Sequence, residues 1–217
     1  MKKVLLNPIN AALLCAILIL YFLFMGIDFG VIYRFTESDY LKFASIVLCL
    51  ILSCVISIKS KNKKDSIYIV IALCFTLIAD VFLLLTHQHV YGVFVFCFAQ
   101  LTYLHRYNKR IFRYGLLGVA VGAITYIIFS LPTLYFISVV YAFLILLVFA
   151  STFFTKLPRL NCLLARTGMV LFILCDIHVA LFNQLPRSSS YFWFASVAMW
   201  LFYLPSQVLI VLSASHE

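Results

Sequence analysis

Residues 67–86 read IYIVIALCFTLIADVFLLLT, an unbroken apolar run interrupted by one charge, the carboxyl of Asp80. About 20 predominantly apolar residues is the length that crosses the ~30 Å hydrocarbon core of a bilayer. Hydrocarbon offers the backbone no hydrogen bonds, so such a run is a helix. The same reading holds along the chain in eight runs, 8–26, 40–58, 67–86, 89–105, 111–129, 133–151, 165–182 and 191–212. Eight spans of ~20 residues consume roughly 160 positions, nearly all of the 217 in the chain. The expected fold is all-α: one transmembrane domain over 1–217, a polytopic bundle of eight helices with no separate soluble domain.

Composition agrees. With 65% hydrophobic and 11% charged residues and a mean hydropathy of +1.13, a soluble domain, a disordered tail and a disulfide-stapled module are excluded. The net charge of +9 does not mark a nucleic-acid binder, because the cations lie between the apolar runs. Lys2, Lys3, Lys59, Lys61, Lys63, Lys64, Arg106, Lys109, Arg110, Arg113, Lys156, Arg159 and Arg166 fall on one side of the alternating topology, leaving Arg34, Lys42 and Arg187 on the other. By the positive-inside rule both termini are expected in the cytoplasm, and the membrane is expected to be a bacterial cytoplasmic membrane or its equivalent. The run at 8–26 is of full spanning length with no small-residue cleavage site after it, and reads as the first helix rather than a cleaved signal. The seven cysteines form no Cys-x-x-Cys pair and read as small buried hydrophobes. His87 and His89 share a short turn that is too small a ligand set for zinc, and no metal or organic cofactor is expected.

Two acids stand where acids are expensive. Asp80 and Asp176 each lie well inside an apolar run, where an acid costs ~2.5–3.5 kcal/mol even on the lenient insertion scale. Asp28 sits near the outer end of the first helix, and Glu37, Asp39, Asp65 and Glu217 fall in loops or at the end. At ~1.5 Å per residue, Asp80 lies about 5 Å and Asp176 about 2 Å beyond the midpoints of their runs, on helices of the same direction. Two carboxyls at nearly one depth form a pair if their helices adjoin. The following helices carry Gln100 with Tyr103, and Tyr203 with Gln207, which hints at a weak parallel repeat of four helices and four.

Two carboxyls held together in a low-dielectric site keep one proton between them, so that one donates while the other acts as base on water. That pairing suits hydrolysis of an acid-labile C–O bond through an oxocarbenium-like cation. In a bilayer the substrate is a lipid, and a vinyl ether is such a bond.

At these residues the sequence resembles the YhhN-like lysoplasmalogenase family of eight-helix membrane proteins. The family's Gly-Asp in a Leu-rich third helix corresponds to Ala79-Asp80-Val81-Phe82-Leu83-Leu84, and its small-His-x-x-Tyr pattern to Ala99-Gln100-Leu101-Thr102-Tyr103. Its Gly-x-x-x-Phe followed by Ser-Asp corresponds to Gly168 through Phe172 with Cys175-Asp176. Its terminal Tyr-x-x-x-Gln corresponds to Tyr203 through Gln207, and its Leu-Lys-Pro to Leu41-Lys42-Phe43. The resemblance implies hydrolysis of the sn-1 vinyl ether of lysoplasmalogens to a fatty aldehyde and a glycerophospho-ethanolamine or -choline.

On this reading Asp80 and Asp176 are catalytic, and Lys42, Gln100, Tyr103, Tyr203 and Gln207 contact a lysophospholipid. Lys42, about 6 Å farther out than Asp80, is placed to meet phosphate, or else snorkels to the interface. The Gln and Tyr residues serve equally as glue between helices, and His178 points away from Asp176 as packing or as a pore-side partner. A proton-coupled carrier also places carboxyls at mid-membrane, although neither Asp has a Gly or Pro break beside it. A non-catalytic lipid-binding protein is the third reading, given Ala79 and Cys175 where the family has Gly and Ser.

Overall fold

The structure is a computed structural model that describes residues 7–33, 37–130 and 132–215. Lys2, Lys3, Arg34 and Glu217 lie outside the described residues. Eight α-helices follow one another: α1 Pro8–Asp28, α2 Ser38–Lys59, α3 Lys63–Asp80, α4 His89–Tyr107, α5 Lys109–Phe129, α6 Thr133–Ser151, α7 Arg159–Gln184 and α8 Ser190–Leu212. The described residues contain no strand.

Seven of the eight are long and apolar enough to cross a membrane, and the chain is a multi-pass integral membrane protein. The helix that falls short is α4, whose 19 residues include His89, Gln100, His105 and Arg106. Polar side chains local to the helix ends fix several boundaries. Asn62 accepts from the Asp65 amide at 3.2 Å, and Asn108 from the amides of Arg110 and Ile111 at 2.9 and 3.3 Å. Such caps satisfy backbone donors that a helix start leaves free.

The limits of α7 differ most from the hydropathy reading, because the helix begins at Arg159 rather than near 165. Its first turns carry Arg159, Asn161 and Arg166 among apolar residues, which lowers their hydropathy. A second difference is a π-helical turn, Val81–Leu85, that begins directly after Asp80. The Thr86 amide there reaches back to the Val81 carbonyl at 3.1 Å. Its sequence is Val-Phe-Leu-Leu-Leu, so nothing apart from the structure marks it.

Six helices close a ring in the order α2, α3, α4, α6, α7, α8, with α8 returning to α2. The helix α1 lies outside against α2 and α8, and α5 lies outside against α6 and α4. Of the seven apolar spans, the outer helix α5 is the least buried, at 6%, against 61% for α8. Adding four to each helix number maps the order of contacts around this ring onto itself and exchanges α1 with α5, as a parallel four-plus-four repeat would.

Helices α7 and α8 pack closely at Gly168, where an added Cβ would sit 3.1 Å from the Ser206 carbonyl oxygen. Inside α8, Pro205 has no N–H to give to the Leu201 carbonyl, which instead accepts from the Tyr21 hydroxyl at 3.1 Å. That bond fastens α1 to the ring.

One end of the bundle is closed by a buried polar clasp. Arg106, its side chain 0% exposed, forms a two-pronged pair with Asp65 at 2.9 and 2.7 Å. It also donates to the Ser213 hydroxyl at 2.8 Å and the Ser213 carbonyl at 3.0 Å. Asn161 donates to the carbonyls of Ser213 and Ser215 at 2.9 and 2.8 Å. The clasp therefore joins the start of α3, the end of α4, the start of α7 and the segment after α8. This corrects two expectations. Asp65 is not a solvated loop acid but a buried ion-pair partner, and Arg106 is a structural cation rather than a free topology charge. The physical reason is that the guanidinium satisfies five donors at once in a planar fork.

The cysteine reading is corrected in part. Cys49, Cys97, Cys162 and Cys175 are buried, whereas Cys15 and Cys74 lie exposed on outer helix faces.

Candidate active site

The ring brings both intramembrane acids to its interior. Asp80 is fifteen residues along α3 from Asp65, and Asp176 fifteen residues along α7 from Asn161. Asp65 and Asn161 both belong to the clasp, so both acids stand about 22 Å from it. The small offset read from hydropathy limits thus disappears, because the clasp supplies a common origin that the ends of the runs do not. Their helices are not neighbours, contrary to the condition set for a pair, but face each other across the ring.

Each carboxyl has a tyrosine of its own. The Tyr203 hydroxyl, from α8, donates to both oxygens of Asp80 at 2.9 and 3.0 Å. The Tyr141 hydroxyl, from α6, donates to Asp176 at 2.8 Å and accepts from Gln100 of α4 at 3.4 Å. No hydrogen bond joins the two carboxyls among the described residues. The expectation of a directly shared proton is therefore replaced by two tyrosine-held acids, and their tyrosine partners, on α8 for Asp80 and α6 for Asp176, do not follow the four-plus-four repeat. The halves are nevertheless one site. The Phe172 ring, one turn before Asp176, packs on Tyr203 at 5.7 Å and on Phe96 at 6.1 Å, and Phe96 packs on Tyr141 at 6.0 Å.

The two acids differ in access. Asp80 is 3% exposed, whereas Asp176 and Tyr141 are half-buried where α6 and α7 meet along the sparsest seam of the ring. The remaining residues singled out from sequence also line the interior. Gln100, Tyr103 and Gln207 are fully buried or nearly so. Tyr141 was not legible in sequence, since a tyrosine in a strongly apolar helix reads as bulk, and no spacing rule links it to Asp176.

Lys42 lies beyond Asp80 on the side away from the clasp. Its ammonium pairs with Asp28 at 2.9 Å and with Asp39 at 3.2 Å, and stands 5.4 Å from the centre of the Trp200 ring. Trp200 in turn packs edge-on against Tyr203 at 5.1 Å. Lys42 is buried rather than snorkelling, and Asp28 is held by it rather than reaching the interface. His178 bonds its own helix at the Leu174 carbonyl, 2.7 Å away, and packs between Phe194 and Phe202, so it belongs to packing.

Six helices, five of them apolar enough to cross a membrane, enclose two tyrosine-held carboxyls and define an integral membrane protein with a polar site in its interior. The chain belongs to the YhhN family, whose model matches residues 38–214, from the first residue of α2 to just past α8. Neither the curated proteins nor the solved structures give a match.

Proposed function

We propose that this protein is a membrane-embedded lipid hydrolase that cleaves the sn-1 vinyl ether of lysoplasmalogens, working in a bacterial cytoplasmic membrane or its equivalent with both termini on the cytoplasmic side. The observation that carries the reading is the placement of Asp80 and Asp176 at one level, across one ring, each oriented by a phenol. Membership of the YhhN family and the likeness of its motifs to those of lysoplasmalogenases support the same substrate class.

The chemistry divides between the acids. The protonated carboxyl gives its proton to the β-carbon of the vinyl ether, leaving an oxocarbenium ion at the carbon bonded to oxygen. The second carboxylate takes a proton from water as its oxygen bonds to that carbon, giving a hemiacetal. In the collapse of the hemiacetal the second carboxyl gives its proton to the leaving glycerol oxygen as the C–O bond breaks, while the first carboxylate takes the hydroxyl proton and the aldehyde is freed. Protons balance over the cycle, and one water is consumed.

Tyr203 and Tyr141 hold the carboxyls in position for these transfers, which is the arrangement that positioned general acids and bases require. A lipid chain reaches the site through the α6–α7 seam, where Asp176 is half-buried. Lys42 offers its charge to the phosphate in exchange with Asp28 or Asp39, and Gln100, Tyr103 and Gln207 line the same interior.

The test is release of a long-chain aldehyde by the purified protein given a lysoplasmalogen, with the saturated ether analogue as control. Aldehyde from the vinyl ether alone supports the reading, and no aldehyde from either refutes it. The π-helical turn directly after Asp80 favours one second reading, a proton-coupled carrier, since such transporters interrupt a helix at the binding acid. That reading requires solute uptake driven by a proton gradient, with the lipid recovered intact.

A further inference from the structure

Between the two carboxyls and the clasp, several buried polar side chains interrupt the apolar interior of the ring. Thr76, Gln100, Tyr103 and Gln207 are each 0% exposed, which places them beyond reach of bulk solvent. Thr76 lies one turn from Asp80 on α3, and Gln207 one turn from Tyr203 on α8, both toward the clasp. Gln100 is six residues before Arg106 and Gln207 six residues before Ser213, and Arg106 bonds Ser213 at 2.8 Å. On helices running the same way, both carboxamides therefore sit about 9 Å from that contact, at one level. Since α4 and α8 are opposite in the ring, they face inward from opposite sides.

Their nitrogens are engaged, Gln100 with the Tyr141 hydroxyl at 3.4 Å and Gln207 with the Ser206 hydroxyl at 3.5 Å. Their carbonyl oxygens accept from no group among the described residues. A buried acceptor without a donor is costly, and native interiors supply one. Here the donor has to be small and has to serve carboxamide oxygens that the described residues leave unpaired. Water does so, making two to four bonds to otherwise unpaired groups. The polar file continues toward the clasp, for Tyr103 is three residues before Arg106 on α4 and its hydroxyl, like that of Thr76, is buried.

We propose that Gln100 and Gln207 hold an internal water site that supplies Asp80 and Asp176 from the clasp end of the ring. The use of that water rests on the hydrolase reading, whereas its presence does not. The lipid then enters through the α6–α7 seam while the water is held on the clasp side of the acids, so that the hydrocarbon chain does not displace the nucleophile.

The site is tested on the full chain in nanodiscs by radiolytic footprinting, in which hydroxyl radicals formed from bound water label the side chains beside it. The expected result is labelling of Tyr103 despite its burial, reduced roughly fivefold or more by Gln207→Met and, independently, by Gln100→Met. Tyr91, which is 58% exposed, serves as the unchanged control. Either glutamine variant is decisive if the other does not fold, and Gln207→Glu, which keeps an acceptor oxygen, retains the labelling. An unlabelled Tyr103 in the wild-type protein, or labelling that survives both methionine variants, overturns the proposal. Labelled Tyr103 without any aldehyde release sustains the water site and removes the hydrolase.

Discussion

Tyr203→Phe removes one hydroxyl and little else. The ring keeps its edge contacts with Trp200 and Phe172 at 5.1 and 5.7 Å, so the fold is preserved while Asp80 loses a donor that meets both its oxygens at 2.9 and 3.0 Å. Hydrogen bonds to charged groups are worth about 1.5–3 kcal/mol. At ~1.4 kcal/mol per factor of ten, that removes roughly 10- to 150-fold from kcat/KM if the bond is made in the transition state. The assay is aldehyde release from a lysoplasmalogen in mixed micelles, with a thermal melt to confirm folding. Tyr141→Phe is expected to cost a similar factor through Asp176, whose oxygen it meets at 2.8 Å. A folded Tyr203→Phe within twofold of wild type would refute the positioning role of the phenol.

Arg106→Met leaves Asp65 buried without its cation and is expected to destabilise by about 3–5 kcal/mol, read as a large fall in melting temperature. Replacing Asp65 by Leu in the same chain is expected to recover most of that loss. Gly168→Val forces side-chain atoms into the backbone of α8, where even an added Cβ stands 3.1 Å from the Ser206 carbonyl. A loss of about 1–3 kcal/mol is expected, and an unchanged melt would contradict the close α7–α8 packing. Lys42→Met is expected to raise KM for a lysophospholipid by about 10-fold, the equivalent of one charged hydrogen bond, with a smaller change in kcat. Kinetics over a range of substrate concentrations separates the two.

What the sequence made legible followed from energetics that act on single residues. Asp80 and Asp176 stood out because an acid in hydrocarbon demands a reason, and the eight helices stood out because backbone in oil has one solution. The partners of those acids were harder to see. Tyr203 was reachable through its spacing to Gln207, but Tyr141 was not, because its helix is apolar on every side. Asp65 and Arg106 were misplaced for a related reason: charges at helix ends read as topology signals unless their partner, 41 residues away, is known. The π-helical turn at Val81–Leu85 has no Gly or Pro to announce it. The order of helices around the ring, which sets Asp80 opposite Asp176 rather than beside it, depends on packing between distant segments. Hydropathy carries no record of that packing.

The most direct test is the rate of aldehyde release from a lysoplasmalogen by Asp80→Asn and Asp176→Asn, each shown by its melt to be folded. Asparagine keeps the shape of the side chain and its bond to the tyrosine, but neither gives a proton to carbon nor takes one from water. The expected result is loss of turnover in both variants, by about 100- to 10,000-fold, the usual worth of a positioned acid or base. Wild-type turnover in either variant would contradict catalysis by the two acids together.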